Sequence, residues 1–141
     1  MKKNNIAIVI APFYTHITEG LLQGATKFFD NKDYQYKEFE VAGALEIPLA
    51  CQLIAQSEKF QGIIALGAVI RGETPHFDHV CEQSSRGIMD VSLKYSTPIG
   101  NGIITIENES QALARSNNDE KNKGAEAAAA VLGLIELQSL L

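Results

Sequence analysis

The strongest fold signal in this sequence is the run IAIVIA at residues 6–11, which is apolar throughout and rich in β-branched side chains. An uninterrupted apolar run of this kind is typical of a strand covered on both faces, as strands of parallel sheets are. Behind it, apolar residues recur at helical spacing from Ile17 to Phe28, and Asp30-Asn31 ends the pattern. This segment therefore predicts a buried strand followed by a helix.

The strand pattern recurs further along the chain. Residues 36–41 alternate between polar and apolar side chains, which predicts a second strand near a sheet edge. The runs GIIALG at 62–67 and IGNGIITI at 99–106 predict the third and fourth strands.

Helical patterns lie between and after these strands. Pro48 suits the first turn of a helix, and we expect Leu49, Leu53 and Ile54 to lie along one face behind it. Further helices are predicted at residues 77–91, 110–115 and about 124–140. Repeated strand–helix units predict an α/β fold, a three-layer flavodoxin-like sandwich with a four-stranded parallel sheet and helices on both faces.

Length, composition and charge exclude several classes of protein. The 141 residues are enough for one domain, expected over 1–141, and too few for two ordinary ones. The formal net charge of −5 argues against binding to nucleic acid or anionic membranes, both of which need a basic surface. The apolar run at 62–70 is far shorter than a membrane span, and the one at 6–11 is too short for a secretory signal. With only two cysteines and no CxxC, we expect a soluble cytoplasmic protein without a disulfide framework.

A parallel sheet places its ligand site outside the carboxyl ends of the strands. Here those ends are the segments 11–16, 42–48, 67–79 and 105–108, which hold much of the unusual glycine, proline and polar content. The sheet therefore predicts where a site lies, although it does not identify a reaction.

The loop GAVIRGETPH at 67–76 leads from a strand to a helix, where free backbone N–H groups and the helix dipole favour a phosphate. Many such loops bind nothing, and the spacing matches neither a Walker loop nor GxGxxG. His76 could transfer protons near neutral pH, or it could simply bond to the backbone at the helix start. With His79 it supplies only two potential zinc ligands, so we expect no metal site.

Other candidate residues are ambiguous when taken singly. Arg115 and Lys123 flank a polar stretch and could hold a phosphate, or they could belong to a solvated charged loop. Phe13 follows the first strand and could stack on a heterocycle, although a lone phenylalanine is more often core. Cys51 and Cys81 lie on apolar helix stripes and are expected to be small buried hydrophobes.

Three segments, taken in order, resemble the lumazine synthase family. VAGALEIP at 41–48 is like the family's VPGAxEIP, and IALGAVIRGETPHFD at 64–78 is like LGTVIRGxTxHF/YD. GIITIEN at 102–108, with Arg115 and NKG at 122–124 downstream, is like GxxTxEN…R…NKG. The resemblance runs from about Ile6 to Leu137, and three motifs in the right order at strand ends are far more specific than any one alone.

The resemblance implies a reaction without a cofactor or metal, the penultimate step of riboflavin biosynthesis. In this reaction 5-amino-6-(D-ribitylamino)uracil condenses with 3,4-dihydroxy-2-butanone 4-phosphate. Amine attack on the ketone gives an imine, phosphate is eliminated, and ring closure with loss of water gives 6,7-dimethyl-8-ribityllumazine. Holding two substrates in register and moving protons between them would supply most of the acceleration.

The resemblance also implies roles for individual residues. Phe13 would stack on the pyrimidine, and His76 would transfer protons. Arg115 would bind the phosphate, with Lys123 in support. Glu73 and Thr74 would grip the phosphate through backbone N–H groups and the threonine hydroxyl, with the glutamate side chain turned away. The pyrimidine and its ribityl chain would be held by Ala44, Leu45, Glu46, Ala68, Val69 and Ile70.

The sequence departs from the family pattern at several positions. Pro12 stands where arginine is frequent, Leu45 where an aromatic is frequent, and Ile106 where threonine is common. Asn101 replaces a phenylalanine that in many members reaches over the pyrimidine from the neighbouring subunit, so we expect altered substrate affinity. Asn101 could instead hydrogen-bond the edge of the pyrimidine.

Members of the family place their sites between adjacent subunits of a ring of five, and some build sixty-subunit shells. The resemblance thus implies a homopentamer in which Phe13, Glu46 and His76 come from one chain, and Asn101, Arg115 and Lys123 from the next. In the family, the segment before the first strand can add to the sheet of a neighbouring subunit. Only five residues precede Ile6 here, which shortens that contact, so we expect a free pentamer. Two rivals remain: a flavodoxin-like module that binds flavin or a phosphorylated ligand without catalysis, and a purely structural shell protein.

Overall fold

A computed structural model describes residues 4–141 of the chain. Strands and helices alternate in the predicted order: β1 (Asn5–Ile10), α1 (Thr15–Phe29), β2 (Gln35–Glu40), α2 (Ile47–Ser57), β3 (Gly62–Ile70), α3 (His76–Tyr95), β4 (Ile99–Ile106), α4 (Glu109–Ser116) and α5 (Lys123–Leu140). A single 3₁₀ turn at Ala44–Glu46 leads into α2.

The four strands form one parallel sheet in the order β2-β1-β3-β4, which confirms the predicted architecture. The central strands β1 and β3 are covered on both faces, which explains why their sequences are apolar without alternation. By contrast, β2 lies at an edge, as predicted, and it leaves nearly all its side chains exposed, although its alternating sequence is typical of a strand with one buried face.

Two apolar clusters cover the two faces of the sheet. One joins the sheet to α1, α4 and α5 through residues such as Leu21, Phe29 and Val131. The other joins it to α2 and α3 through residues such as Ile47 and Ile88. The structure is thus the predicted three-layer sandwich of the flavodoxin-like type.

Glycines allow α5 to approach both the sheet and α1 closely. A Cβ atom at Gly100 would collide with the main-chain carbonyl of Ala127, and one at Gly124 would collide with the carbonyl of Leu21. These contacts fix the position of the segment that begins α5, which carries Lys123 at its first residue.

Two local predictions differ from the structure. The third strand runs on to Ile70, because β4 pairs with it as far as Ile106. The prediction that Leu49, Leu53 and Ile54 share one face of α2 was wrong: Ile54 is buried, whereas Leu49 and Leu53 are 59% and 57% exposed. Their i, i+4 spacing puts the two leucines on a separate stripe from the buried residues of the helix.

Candidate active site

A hollow of about 380 Å³ lies at the carboxyl ends of β1 and β3, where parallel sheets place their ligands. Four segments line it: the β1–α1 loop, the 3₁₀ turn, the end of β3 and the start of α3. The lining comprises Phe13, Tyr14, Ala42, Gly43, Ala44, Leu45, Glu46, Ala68, Val69, Ile70, His76 and Val80. We call this the aromatic hollow.

The aromatic hollow contains eight of the residues predicted for the site. They are Phe13, Ala44, Leu45, Glu46, Ala68, Val69, Ile70 and His76. Four further lining residues were not assigned a role from the sequence, namely Tyr14, Ala42, Gly43 and Val80. Three of the four could have been found from their neighbours: Tyr14 follows Phe13, and Ala42 and Gly43 lie in the 41–48 motif. Val80 lies one helical turn after His76, a relation visible once α3 is known to begin there.

Phe13 is not a core residue, because its side chain is 74% exposed. Tyr14 meets it edge-on, with ring centroids 5.0 Å apart and an interplanar angle of 89°. This T-shaped contact is a favoured aromatic geometry. It steadies the Phe13 ring at the hollow, where an exposed aromatic surface suits a flat heterocycle.

His76 is the first residue of α3 and is exposed. Its backbone N–H donates to Oγ1 of Thr74 at 3.4 Å, a long contact. Within residues 4–141 the imidazole ring itself makes no hydrogen bond, so both ring nitrogens can exchange protons with a ligand.

A second hollow, of about 180 Å³, lies beside β4, and we call it the cationic hollow. Its lining comprises Asn101, Gly102, Ile103, Ile104, Thr105, Arg115 and Lys123. Nη1 of Arg115 donates to the carbonyl oxygen of Gln111 at 3.0 Å. Nζ of Lys123 lies 2.8 Å from Oε2 of Glu126. Two cationic side chains in one polar hollow suit a phosphate group.

The two hollows share no residue. Within one chain, the structure therefore places His76 in one hollow and Arg115 and Lys123 in another. Glu73 and Thr74 line neither hollow and are exposed on the loop between β3 and α3.

Asn122 lies in the NKG motif at 122–124, but the sequence assigned no role to its side chain. It is only 3% exposed, and its Nδ2 lies 3.0–3.1 Å from the carbonyl oxygens of Gly20, Ser116 and Asn117. Its Oδ1 accepts from the backbone N–H of Ala125 at 3.0 Å and so caps α5. This side chain ties together the segment between Arg115 and Lys123.

The two cysteines differ from each other. Cys51 is buried, and burial raises the pKa of its thiol to about 12. Cys81 is only half-buried, so the prediction of a buried residue fails there, and desolvation also raises its pKa. Neither thiol has the low pKa that a nucleophilic cysteine requires.

Residues 4–141 lack two features that would point to other classes of protein. No group of three or more His, Cys, Asp or Glu side chains lies close enough together to hold a metal ion. In the same range, no helix is both long and apolar enough to cross a membrane.

The architecture and the two hollows define a flavodoxin-like α/β protein with a candidate ligand site at the carboxyl edge of its parallel sheet. The family model described as 6,7-dimethyl-8-ribityllumazine synthase matches residues 3–139. The chain belongs to this family.

Curated relatives with the same description match over nearly their whole length. The protein from Sphingopyxis alaskensis is 46% identical over 134 residues, which cover 95% of this chain and 94% of the relative. The protein from Agrobacterium fabrum is 44% identical over 146 aligned positions, which cover 100% of this chain and 99% of the relative. The protein from Novosphingobium aromaticivorans is 47% identical over 131 residues, covering 93% and 94%. Each is named 6,7-dimethyl-8-ribityllumazine synthase.

Proposed function

We propose that this chain, acting as a single domain over residues 1–141, condenses 5-amino-6-(D-ribitylamino)uracil with 3,4-dihydroxy-2-butanone 4-phosphate. The products are 6,7-dimethyl-8-ribityllumazine, phosphate and water. Family membership and the names of full-length relatives support this activity. One observation assigns this activity to particular residues: the chain has both an aromatic hollow that contains His76 and a cationic hollow that contains Arg115 and Lys123.

In this proposal the aromatic hollow takes the pyrimidine. Phe13 stacks on the ring, since its side chain is exposed and held edge-on by Tyr14. The backbone and side chains of residues 44–46 and 68–70 hold the ring edge and the ribityl chain. His76 stands at the rim of this hollow, where it transfers protons as the amine adds to the ketone and as water leaves the resulting carbinolamine to form the imine.

The phosphate of the second substrate lies between the loop carrying Glu73 and Thr74 and the cations of the cationic hollow. Arg115 provides paired N–H donors, and Lys123 adds a positive charge beside it. Elimination of phosphate builds negative charge on the leaving oxygens, and this charge is what the cations stabilise. The reaction on this scheme needs neither a cofactor nor a metal.

We further propose that the complete site forms between two copies of the chain. Support comes from the separation of His76 and Arg115 into hollows with no residue in common. Such a contact is head-to-tail, since it joins the aromatic hollow of one copy to the cationic hollow of the next. Head-to-tail contacts generate a ring when the rotations between successive copies add up to a full turn. A homopentamer is the ring we propose, either free or as a unit of a sixty-subunit shell. We place it in the cytoplasm, a reducing compartment that suits its two unpaired cysteines.

Asn101 gives the cationic hollow a hydrogen-bonding group. Its Oδ1 accepts from the backbone N–H of Ile103 at 2.9 Å, which turns the amide NH₂ away from that contact. The NH₂ group is then available to donate to a carbonyl on the pyrimidine of the neighbouring site. This arrangement favours an edge-on hydrogen bond over the aromatic stacking that the resemblance implies for a phenylalanine here.

The test is to mix both substrates with the protein and record lumazine absorbance or fluorescence together with phosphate release. We expect the two products to appear in equal amounts. Light scattering of the same sample measures the assembly mass, for which we expect five subunits or a multiple of five. If no lumazine forms, calorimetry with inorganic phosphate separates the two alternatives: binding would support a non-catalytic binding module, and absence of binding would support a purely structural protein.

Substitution of Arg115 by alanine tests the site itself. A hydrogen bond to a charged group contributes about 1.5–3 kcal/mol, so we expect the KM for the phosphorylated ketone to rise about tenfold or more. The matched control is Arg86→Ala, which removes an exposed arginine paired with Asp90 on α3, outside both hollows. Unchanged kinetics in the Arg115 variant would refute the phosphate assignment.

A further inference from the structure

A cluster of charged side chains lies at the base of the loop between β3 and α3. Nε of Arg71, just after β3, donates to Oε2 of Glu107 at 2.7 Å, and its Nη2 donates to Oδ1 of Asp78 at 3.1 Å. The guanidinium also covers the ring of Phe77, with Cζ 4.3 Å from the ring centroid. We call these three contacts the arginine clasp.

The clasp joins the two ends of the loop that carries Glu73 and Thr74. Arg71 precedes the loop, and Asp78 lies in the first turn of α3 behind it. The loop has few other restraints in the part of the chain that the structure describes. Residues 72–75 are all exposed, and a Cβ atom at Gly72 would meet nothing within 4 Å. The α3 helix also begins without a side-chain cap.

The clasp is not itself an anion site. One arginine and two carboxylates give it a net charge of −1, and both named N–H donors already have carboxylate partners. The aromatic ring of Phe77 covers one face of the guanidinium. Arg71 is therefore suited to holding backbone in place and unsuited to binding phosphate directly.

The clasp also connects with the segment that carries Arg115. The backbone N–H of Glu107 donates to Oε1 of Gln111 at 2.8 Å. The carbonyl of Gln111 accepts from Nη1 of Arg115 at 3.0 Å. Arg71 is thus linked to the loop 72–75 through Asp78, and to Arg115 indirectly through Glu107 and Gln111.

We propose that Arg71 is a positioning residue for the phosphorylated substrate, because it fixes the loop 72–75 and, through Glu107, the start of α4. This inference rests on the proposed function and adds to it a residue that does not contact substrate. Preorganised N–H groups favour an anion because the loop need not be ordered when the ligand binds. Loss of the clasp should weaken binding of the phosphoryl group and leave the pyrimidine contacts intact.

The clasp should contribute little to global stability. The Arg71 side chain is 40% exposed, and exposed ion pairs are largely offset by solvation and side-chain entropy. Variants at this position should therefore fold, which makes kinetic measurements interpretable.

The experiment compares Arg71→Gln and Arg71→Lys with the control Arg86→Gln, which breaks another exposed arginine–aspartate pair in α3. We measure kcat, the KM of each substrate, the inhibition constant of inorganic phosphate and the thermal midpoint. In Arg71→Gln, we expect the KM of the phosphorylated ketone and the inhibition constant of phosphate to rise at least fivefold. The KM of the pyrimidine should stay within twofold. Lysine should restore part of the effect, because it keeps the charge but loses the two-point contact.

Other outcomes would overturn the proposal. Equal rises in both KM values with a lowered thermal midpoint would make Arg71 a general structural residue. Unchanged parameters, or the same changes in Arg86→Gln, would remove its role altogether. Calorimetric binding of inorganic phosphate to the wild type and Arg71→Gln tests the clasp without turnover. If the wild type forms no lumazine yet binds phosphate more tightly than the variant does, the proposed function fails and the clasp stands.

Discussion

Replacing Asn122 with alanine should destabilise the protein far more than loss of an ordinary helix cap. The buried amide bonds to carbonyls of α1 and of the α4–α5 segment and also caps α5. The amide has two N–H protons for three carbonyl oxygens, so its donor side is counted as two hydrogen bonds, and the capping bond to Oδ1 is the third. Alanine removes all three, each of which contributes about 1 kcal/mol. We expect a loss of about 3 kcal/mol, or roughly 10 °C in the thermal midpoint.

Two further variants separate the capping bond from the donor bonds. Asn108→Ala removes an exposed cap with a single bond to the N–H of Gln111, and should cost about 1 kcal/mol. Asn122→Asp keeps the capping acceptor but turns a carboxylate towards carbonyl oxygens, so at pH 7 it should destabilise at least as much as alanine. Burial and those carbonyls raise the folded-state pKa of the new carboxyl above its unfolded value. Its stability should accordingly recover as the pH falls through that folded-state pKa.

The assay is denaturant unfolding followed by circular dichroism at one fixed protein concentration, because the proposed assembly would make the midpoint depend on concentration. The reasoning would be refuted if Asn122→Ala lost no more stability than Asn108→Ala. An Asn122→Asp variant as stable as the wild type at pH 7 would refute the assigned donor bonds.

Three further outcomes are expected. Substitution of His76 by alanine should lower kcat by about ten- to a hundredfold with little change in either KM, measured by steady-state kinetics; an unchanged kcat would contradict a role in proton transfer. Cys51, whose thiol pKa is raised to about 12 by burial, should resist iodoacetamide at pH 8 until the protein unfolds, as checked by mass spectrometry of digests. Gly124→Ala should destabilise, because the added Cβ meets the carbonyl of Leu21. Gly133→Ala, in open space on the same helix, should stabilise by up to about 1 kcal/mol, and thermal unfolding compares the two.

The order of the elements and the four-stranded parallel sheet could be predicted, because the pattern of apolar residues in each strand reflects how that strand is buried. The central strands are apolar at residues 6–10 and 62–70, since both faces are covered there. The edge strand β2 alternates, and the boundaries of β4 at Ile99 and Ile106 matched the prediction. The faces of α2 could not be predicted, because it carries two apolar stripes and only tertiary packing decides which one is buried.

The aromatic hollow was predictable because its residues cluster at strand ends, where the sheet geometry directs a ligand. The contacts that depend on distant parts of the chain were not. Asn122 bonds to the carbonyl of Gly20, 102 positions away, and the clasp joins Arg71 to Glu107, 36 positions away. Neither contact leaves a local pattern, so only the folded chain reveals them. The separation of the site into two hollows was implied by family resemblance and not by any spacing.

In the proposed ring, that separation makes the contact between neighbours, and not the individual polypeptide, the unit that carries activity. A chain defective in the aromatic hollow can still lend an intact cationic hollow to its neighbour, and the reverse also holds. Two impaired alleles, one altered at His76 and the other at Arg115, would then complement each other when expressed together. In a random equal mixture about one junction in four would join two undamaged halves, so a fraction of the lost turnover would return.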